Sequence, residues 1–242
     1  MKINIFINII KNIFKKYYFL NIIKKIFKRF ENDYSKEATK WAKLNVKYNT
    51  DLFLKSIDHD LYIETISEIK KLENECNRKL SSLDVKLGGG GNYLLLYFLV
   101  RKLKPEIVLE TGVAAGWTSL SILRGFERNK KGKLYSSDFP YFRLNNPEKY
   151  IGILAKDEKN ISDWQLDIRG DDIALPFFAS KISDKAINIF HYDSDKSYSG
   201  RINALNIIKN KLSTNAIIIF DDIQNNFDFK DFFLKNNLEF KV

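Results

Sequence analysis

From residue 105 onward, short apolar runs alternate with segments in which apolar residues recur every three or four positions. The first pattern suits strands buried on both faces and the second suits amphipathic helices, so the alternation predicts a parallel sheet covered by helices. Strands are expected at 107–110, 133–137, 164–168, 186–192 and 216–220, with a last short one at 239–242. Helices are expected between them, at 118–128, 146–155, 173–181, 200–212 and 229–236. The fold class is therefore α/β, a Rossmann-like, doubly wound and mainly parallel sheet with helices on both faces. Upstream, 35–45 and 61–83 read as helices, the second with Ile63, Ile66, Ile69 and Leu72 on one face. A mostly apolar helix at 92–104 stops at Pro105, whose ring disfavours helical backbone in the residue before it.

The first 30 residues carry a different pattern. Phe6, Ile10, Ile13, Tyr17, Leu20, Ile23, Phe27 and Phe30 recur at steps of three or four, which aligns them on one face of a helix. The same stretch contains Lys2, Lys11, Lys15, Lys16, Lys24, Lys25, Lys28 and Arg29 and no acid, so eight of the net +10 charges lie there. Its longest uncharged runs, 3–10 and 17–23, fall short of the roughly 20 apolar residues that a spanning helix needs. Dispersed lysines without a small-residue cleavage site argue against a signal peptide. Two readings stay open: a basic amphipathic helix in peripheral contact with an anionic membrane, or a helix packed on the domain or on a second subunit of a homo-oligomer. No nucleic acid partner is expected, because the aromatic residues alternate with aliphatic ones and leave no stacking surface.

With 242 residues and 45% hydrophobic content, the chain can bury a full core. The single cysteine, Cys76, excludes an intramolecular disulfide framework and fits a reducing, cytoplasmic compartment. Four consecutive glycines, Gly88 to Gly91, cannot hold the interior of a helix or strand. Taken alone they favour a hinge over a close approach of backbone to a ligand or another chain.

The chemistry concentrates where the strands end. The stretch PEIVLETGVAAGWTSLS, residues 105–121, is a strand, a tight turn and a helix start, which together offer free backbone N–H groups to a small anionic or zwitterionic ligand. On that turn alone a nicotinamide dinucleotide is an alternative occupant. Asp138, Asp171, Asp193, Asp221 and Asp222 follow later strands, at the carboxyl edge where such sheets bind ligands.

The ordered set ETGVAAGWTS, SSDFP, HYDSDKSY and AIIIFDDI resembles class I S-adenosylmethionine-dependent methyltransferases over residues 88–223. In particular it is similar to bacterial O-methyltransferases of the macrocin and cephalosporin-hydroxylase-like groups, and also to the catechol and caffeoyl-CoA type. The turn departs from the usual three-glycine form by having Ala114 in the middle place. The resemblance implies that Glu110, Gly112, Ala114, Gly116 and Thr118 seat the methionine part of S-adenosylmethionine, with Glu110 drawing its amino group. It implies that Asp138 accepts the ribose hydroxyls and that Gly170 and Asp171 flank the adenine, with the adjacent Asp172 an alternative.

The resemblance further implies a divalent cation, Mg²⁺ by its oxygen ligands, held by Asp193, Asp221 and Asp222. Lys196 stands where the macrocin-like group tends to have histidine and the catechol type has lysine, so Lys196 and Asp193 are both candidate bases. His191 shares a strand face with Asp193 and is expected to support it as a half-buried histidine, with a catalytic part as the alternative. The activity implied is O-methylation of a hydroxyl on a sugar, glycan or similar small molecule, the alternative being an inactive binding or scaffold protein of the same fold. The expected division is a basic extension at 1–34, a helical segment at 35–91 that contributes to a small-molecule or lipid-linked acceptor site, and the cofactor-binding domain at 92–242. A last antiparallel strand of the resembled fold is expected to be missing.

Overall fold

The computed structural model describes residues 2–15, 17–27, 34–47 and 49–242. Five strands form one parallel sheet: β1 (Ile107–Thr111), β2 (Lys133–Ser137), β3 (Trp164–Asp167), β4 (Ile187–Tyr192) and β5 (Leu212–Phe220). Their spatial order is β3-β2-β1-β4-β5, so the chain starts in the middle, winds outward one way and then crosses to the other side. Strand alternation sends Val108 and Ile189 into one core and Leu109 and Phe190 into the other. The first core is closed by α5 (His59–Ser81), α6 (Tyr93–Leu103) and α7 (Trp117–Asn129), through Leu72, Phe98 and Leu120. The second is closed by α8 (Asp171–Lys181) and α9 (Tyr198–Ile208), through Phe178 and Leu205. This is the doubly wound α/β architecture that the alternating pattern predicts.

Local signals start and stop these helices. Asp58 accepts the Leu61 N–H at the start of α5, and Asn92 accepts the Leu95 N–H at the start of α6. Each satisfies a donor that the first turn leaves without a partner. α6 ends at Lys104 in a left-handed conformation directly before Pro105. Two further helices precede α5: α3 (Ser35–Asn45), and α4 (Thr50–Ile57), which the periodicity misses because it is only eight residues long.

Two expected elements differ. Residues 146–155 form no α-helix; a short 3-10 turn at Pro147–Tyr150 leads into turns, because the Gly152 and Leu154 N–H groups donate to Ala114 and Ala115 carbonyls at 2.9 and 3.0 Å. Residues 239–242 form no strand. The Val242 carbonyl instead accepts from the Lys47 N–H at 3.0 Å, and Phe240 joins an aromatic cluster with Trp41, Phe229 and Phe233 below α10 (Asp228–Lys235).

The N-terminal stripe is divided between α1 (Lys2–Ile13) and α2 (Tyr18–Phe27), with Tyr17 between them at φ +72°. Both lie on the domain, and among the described residues no helix is long and apolar enough to cross a membrane. Of the stripe and its cations, Lys16, Lys28, Arg29 and Phe30 fall outside the described residues, as do the side chains of Lys2, Leu20, Lys24, Lys25 and Phe27.

Candidate active site at the carboxyl edge of the sheet

A cavity of about 670 Å³ opens where β1, β2 and β4 end. Its inner wall is the turn after β1, with Gly112 and Ala114, and the loop after β4, Asp193 to Lys196. Its sides are Asp138, Gly170, Asp171 and Asp172, and its outer rim is the 139–144 loop with Lys86 and Asn21. Five carboxylates face three cationic side chains, Lys86, Arg143 and Lys196, so the cavity favours a ligand that carries positive charge.

The turn is built by close packing. Gly112 has φ +83°, and a Cβ there would come within 2.1 Å of the Asp193 carbonyl, so only glycine lets β1 and the β4 loop meet. Ala114 also sits in the left-handed region, at φ +50°, and its N–H donates to Asp138 Oδ2 at 2.6 Å. That bond fixes the Asp138 carboxylate on the cavity wall. Asp171 is half-buried on the cavity wall and accepts from the hydroxyls of Ser137 and Ser194, tying the ends of β2 and β4 together. Burial pushes its carboxyl above the ordinary range.

Glu110, Gly116 and Thr118 stand apart from the cavity. Glu110 is buried beneath the turn, and its two oxygens take bonds from Thr118, from Ser119 at 2.6 Å and from Ser136 at 2.8 Å. Its expected contact with a ligand amino group is therefore replaced by an internal hydroxyl cage. Gly116 caps α7 and faces Gly152, where a Cβ would meet the Gly152 Cα at 2.9 Å.

His191 is fully buried and does not reach the cavity. Its Nε2 lies 3.1 Å from Asp221 Oδ2, and its Nδ1 faces Glu110 Oε1 at 3.9 Å. Burial lowers its pKa, but the two flanking carboxylates outweigh that and lift it to about 9. The residue it supports is Asp221 and not Asp193, because Asp221 follows the strand next to it while Asp193 leaves along the cavity wall.

The expected metal cluster does not form. Asp221 is held by His191, Asp222 pairs with the Lys196 ammonium, and Lys196 Nζ is 3.9 Å from Asp193 Oδ1. Among the described residues no three His, Cys, Asp or Glu side chains are grouped to hold an ion. Burial, followed by the charge of Asp221, pushes the Asp193 carboxyl up.

The sequence reading missed Asn21, Lys86 and the 139–144 loop, because contacts across so many residues leave no local pattern. The four glycines serve close approach at their last member: a Cβ on Gly91 would stand 2.0 Å from Asp221 Oδ2 and 3.5 Å from His191 Nε2.

Residues 109–223 match the family model described as a methyltransferase domain. No curated protein matches the chain. Solved structures similar to it include a methyltransferase from Geobacter sulfurreducens, at 17% identity over 65% of this chain and 69% of that one, with a TM-score of 0.40. Another is the SAH-bound methyltransferase PaMTH1 of Podospora anserina, at 15% identity over 73% of this chain and 71% of that one, with a TM-score of 0.43.

Proposed function

We propose that this chain, whose residues 109–223 match the model of a methyltransferase domain, moves a methyl group from S-adenosylmethionine to a hydroxyl of a sugar, glycan or similar small polyol. The observation that carries this reading is that one cavity joins the Gly112–Ala114 turn and Asp138 to Asp193 and Lys196. The residues suit the cofactor: the surplus of carboxylates complements its sulfonium and ammonium charges, and Asp138 is positioned to accept from a ribose diol. Gly112 and Ala114 would hold the methionine part through backbone, with Gly170 toward the adenine. When bound, the cofactor supplies an electrophilic methyl group, which leaves the protein to orient the acceptor and take its proton.

Asp193 is suited to that proton. A carboxyl raised by burial and by Asp221 holds a proton better than a free aspartate does, and it lines the cavity where an acceptor hydroxyl would face the methyl group. Lys196, engaged with Asp222, places a positive charge beside it. Lys86, Arg143, Asp172 and Asp195 around the rim offer the donors and acceptors that a polyol uses. A divalent cation at Asp193, Asp221 and Asp222 does not fit this arrangement, since Lys196 occupies Asp222 and His191 occupies Asp221. No step is assigned to one.

The test is calorimetry with S-adenosylmethionine, followed by transfer of labelled methyl to a panel of glycans and polyols with and without a chelator. Asp138→Ala should weaken cofactor binding at least about tenfold, the size of a lost charge-assisted hydrogen bond. Asp193→Asn should keep binding and lower kcat by about 10²–10⁴. Undiminished binding by Asp138→Ala would refute the cofactor placement. Binding with no turnover on any acceptor would favour the inactive binding protein, and activity abolished by the chelator would restore the metal.

A further inference from the structure

Helix α1 is docked with its sides reversed. At about 100° per residue, Phe6 and Ile10, with Phe14 just past the helix end, share one side, and Asn8 and Asn12 share the opposite one. The asparagines face the protein: Asn8 donates to the Arg143 carbonyl at 3.2 Å, and Asn12 to the Phe142 and Leu144 carbonyls, both at 2.9 Å. Lys15 pairs with Glu148 at 2.8 Å on the same side. The apolar residues face outward, with Phe6 64%, Ile7 42%, Ile10 44% and Phe14 85% exposed. A helix that packs on its own domain normally does the opposite.

We propose that this outward face of α1 docks the protein on an anionic phospholipid bilayer surface. The charge of the segment selects the occupant. Residues 1–30 carry eight cations and no acid, and exposed Lys11 flanks the apolar ridge. Anionic headgroups complement that charge while the phenylalanines enter the acyl boundary. A second copy of the same face would bring like charges together. The polar contacts on the other side hold α1 against the 142–148 loop, so the ridge is presented on a folded platform and need not be released to bind. This inference does not depend on the methyl-transfer reading, because no residue of the exposed ridge lines the cavity.

The full chain should co-sediment with vesicles of phosphatidylcholine mixed with phosphatidylglycerol, less with phosphatidylcholine alone, and progressively less as salt is raised. The triple variant Phe6→Ser, Ile10→Ser, Phe14→Ser changes only exposed side chains and should keep its circular dichroism spectrum while its partitioning falls at least about tenfold. Lys11→Glu provides an independent check, weakening binding to the anionic vesicles and leaving the neutral ones unchanged. Equal sedimentation of the triple variant, or none of the wild type with anionic vesicles, overturns the proposal. So does a wild-type dimer in analytical ultracentrifugation that the triple variant abolishes without any vesicle binding, which would assign the face to a second copy.

Discussion

The residues under the cavity floor matter through charge and contact distance. His191 is an imidazolium held between Asp221 and Glu110, and its pKa of about 9 lies above the ordinary histidine value. The stability it contributes should therefore be complete below about pH 6.5 and lost as pH rises through about 9. Thermal melts of wild type and His191→Gln should converge as pH is raised from 7 to 10; parallel melts would show that the imidazolium is not what binds the two carboxylates. Gly91 is a contact of a different kind. Gly91→Ala places a methyl group against Asp221, which His191 holds in position, and should cost about 1–3 kcal/mol in urea unfolding, the usual range for overpacking. If the glycines were only a hinge, alanine there would be neutral or stabilising.

Among the elements, regular alternation made the sheet readable. All five parallel strands were legible because each is an apolar run closed by polar or turn residues, and the aspartates at their ends were legible with them. What escaped was set by contacts distant in sequence. The 146–155 segment has a helical pattern, but its N–H groups find the 114–115 carbonyls first. Residues 239–242 are apolar enough for a strand, yet Phe240 packs with Trp41 and Phe229. Phe240→Ala should lower stability by about 1–2 kcal/mol, less than for a fully buried phenylalanine, because Phe240 is only half-buried. Chemical denaturation would measure it.

The docking of α1 and α2 has its own switch in Glu148. Burial pushes that carboxyl up, but bonds from Lys15, its own backbone and Tyr18 more than offset this and hold it below the ordinary range. A depressed carboxylate stabilises above its unfolded value, so the contact should persist above about pH 4.5 and be lost as pH falls further. The pair is about one-third exposed, so solvent and salt make its share modest. Proteolysis of the N-terminal segment at falling pH should accelerate in wild type and be fast throughout for Glu148→Gln.

For the molecule as a whole, the two faces of the sheet do different work. One side buries helices from the first 104 residues, and the carboxyl edge collects polar and charged groups brought together from α2, the Lys86 segment, the 139–144 loop and three strand ends. The positions of Asp138 and Asp193 on the cavity wall depended on strand ends and could be read from the chain. The partners of Glu110, His191 and Asp221 depended on which strands become neighbours, and β1 beside β4 is a pairing across some 80 residues. Three-dimensional order, and not local pattern, determines which carboxylate faces the cavity and which is neutralised beneath it.

Asn21 donates to the Arg169 carbonyl at 3.0 Å and contributes to the rim of the cavity. Anyone preparing this protein would be tempted to trim its basic, apolar N-terminus for better solubility. Such a shortened protein would keep the whole sheet and every carboxylate of the inner wall and should still bind a small ligand less well, because the discarded piece is also part of the vessel.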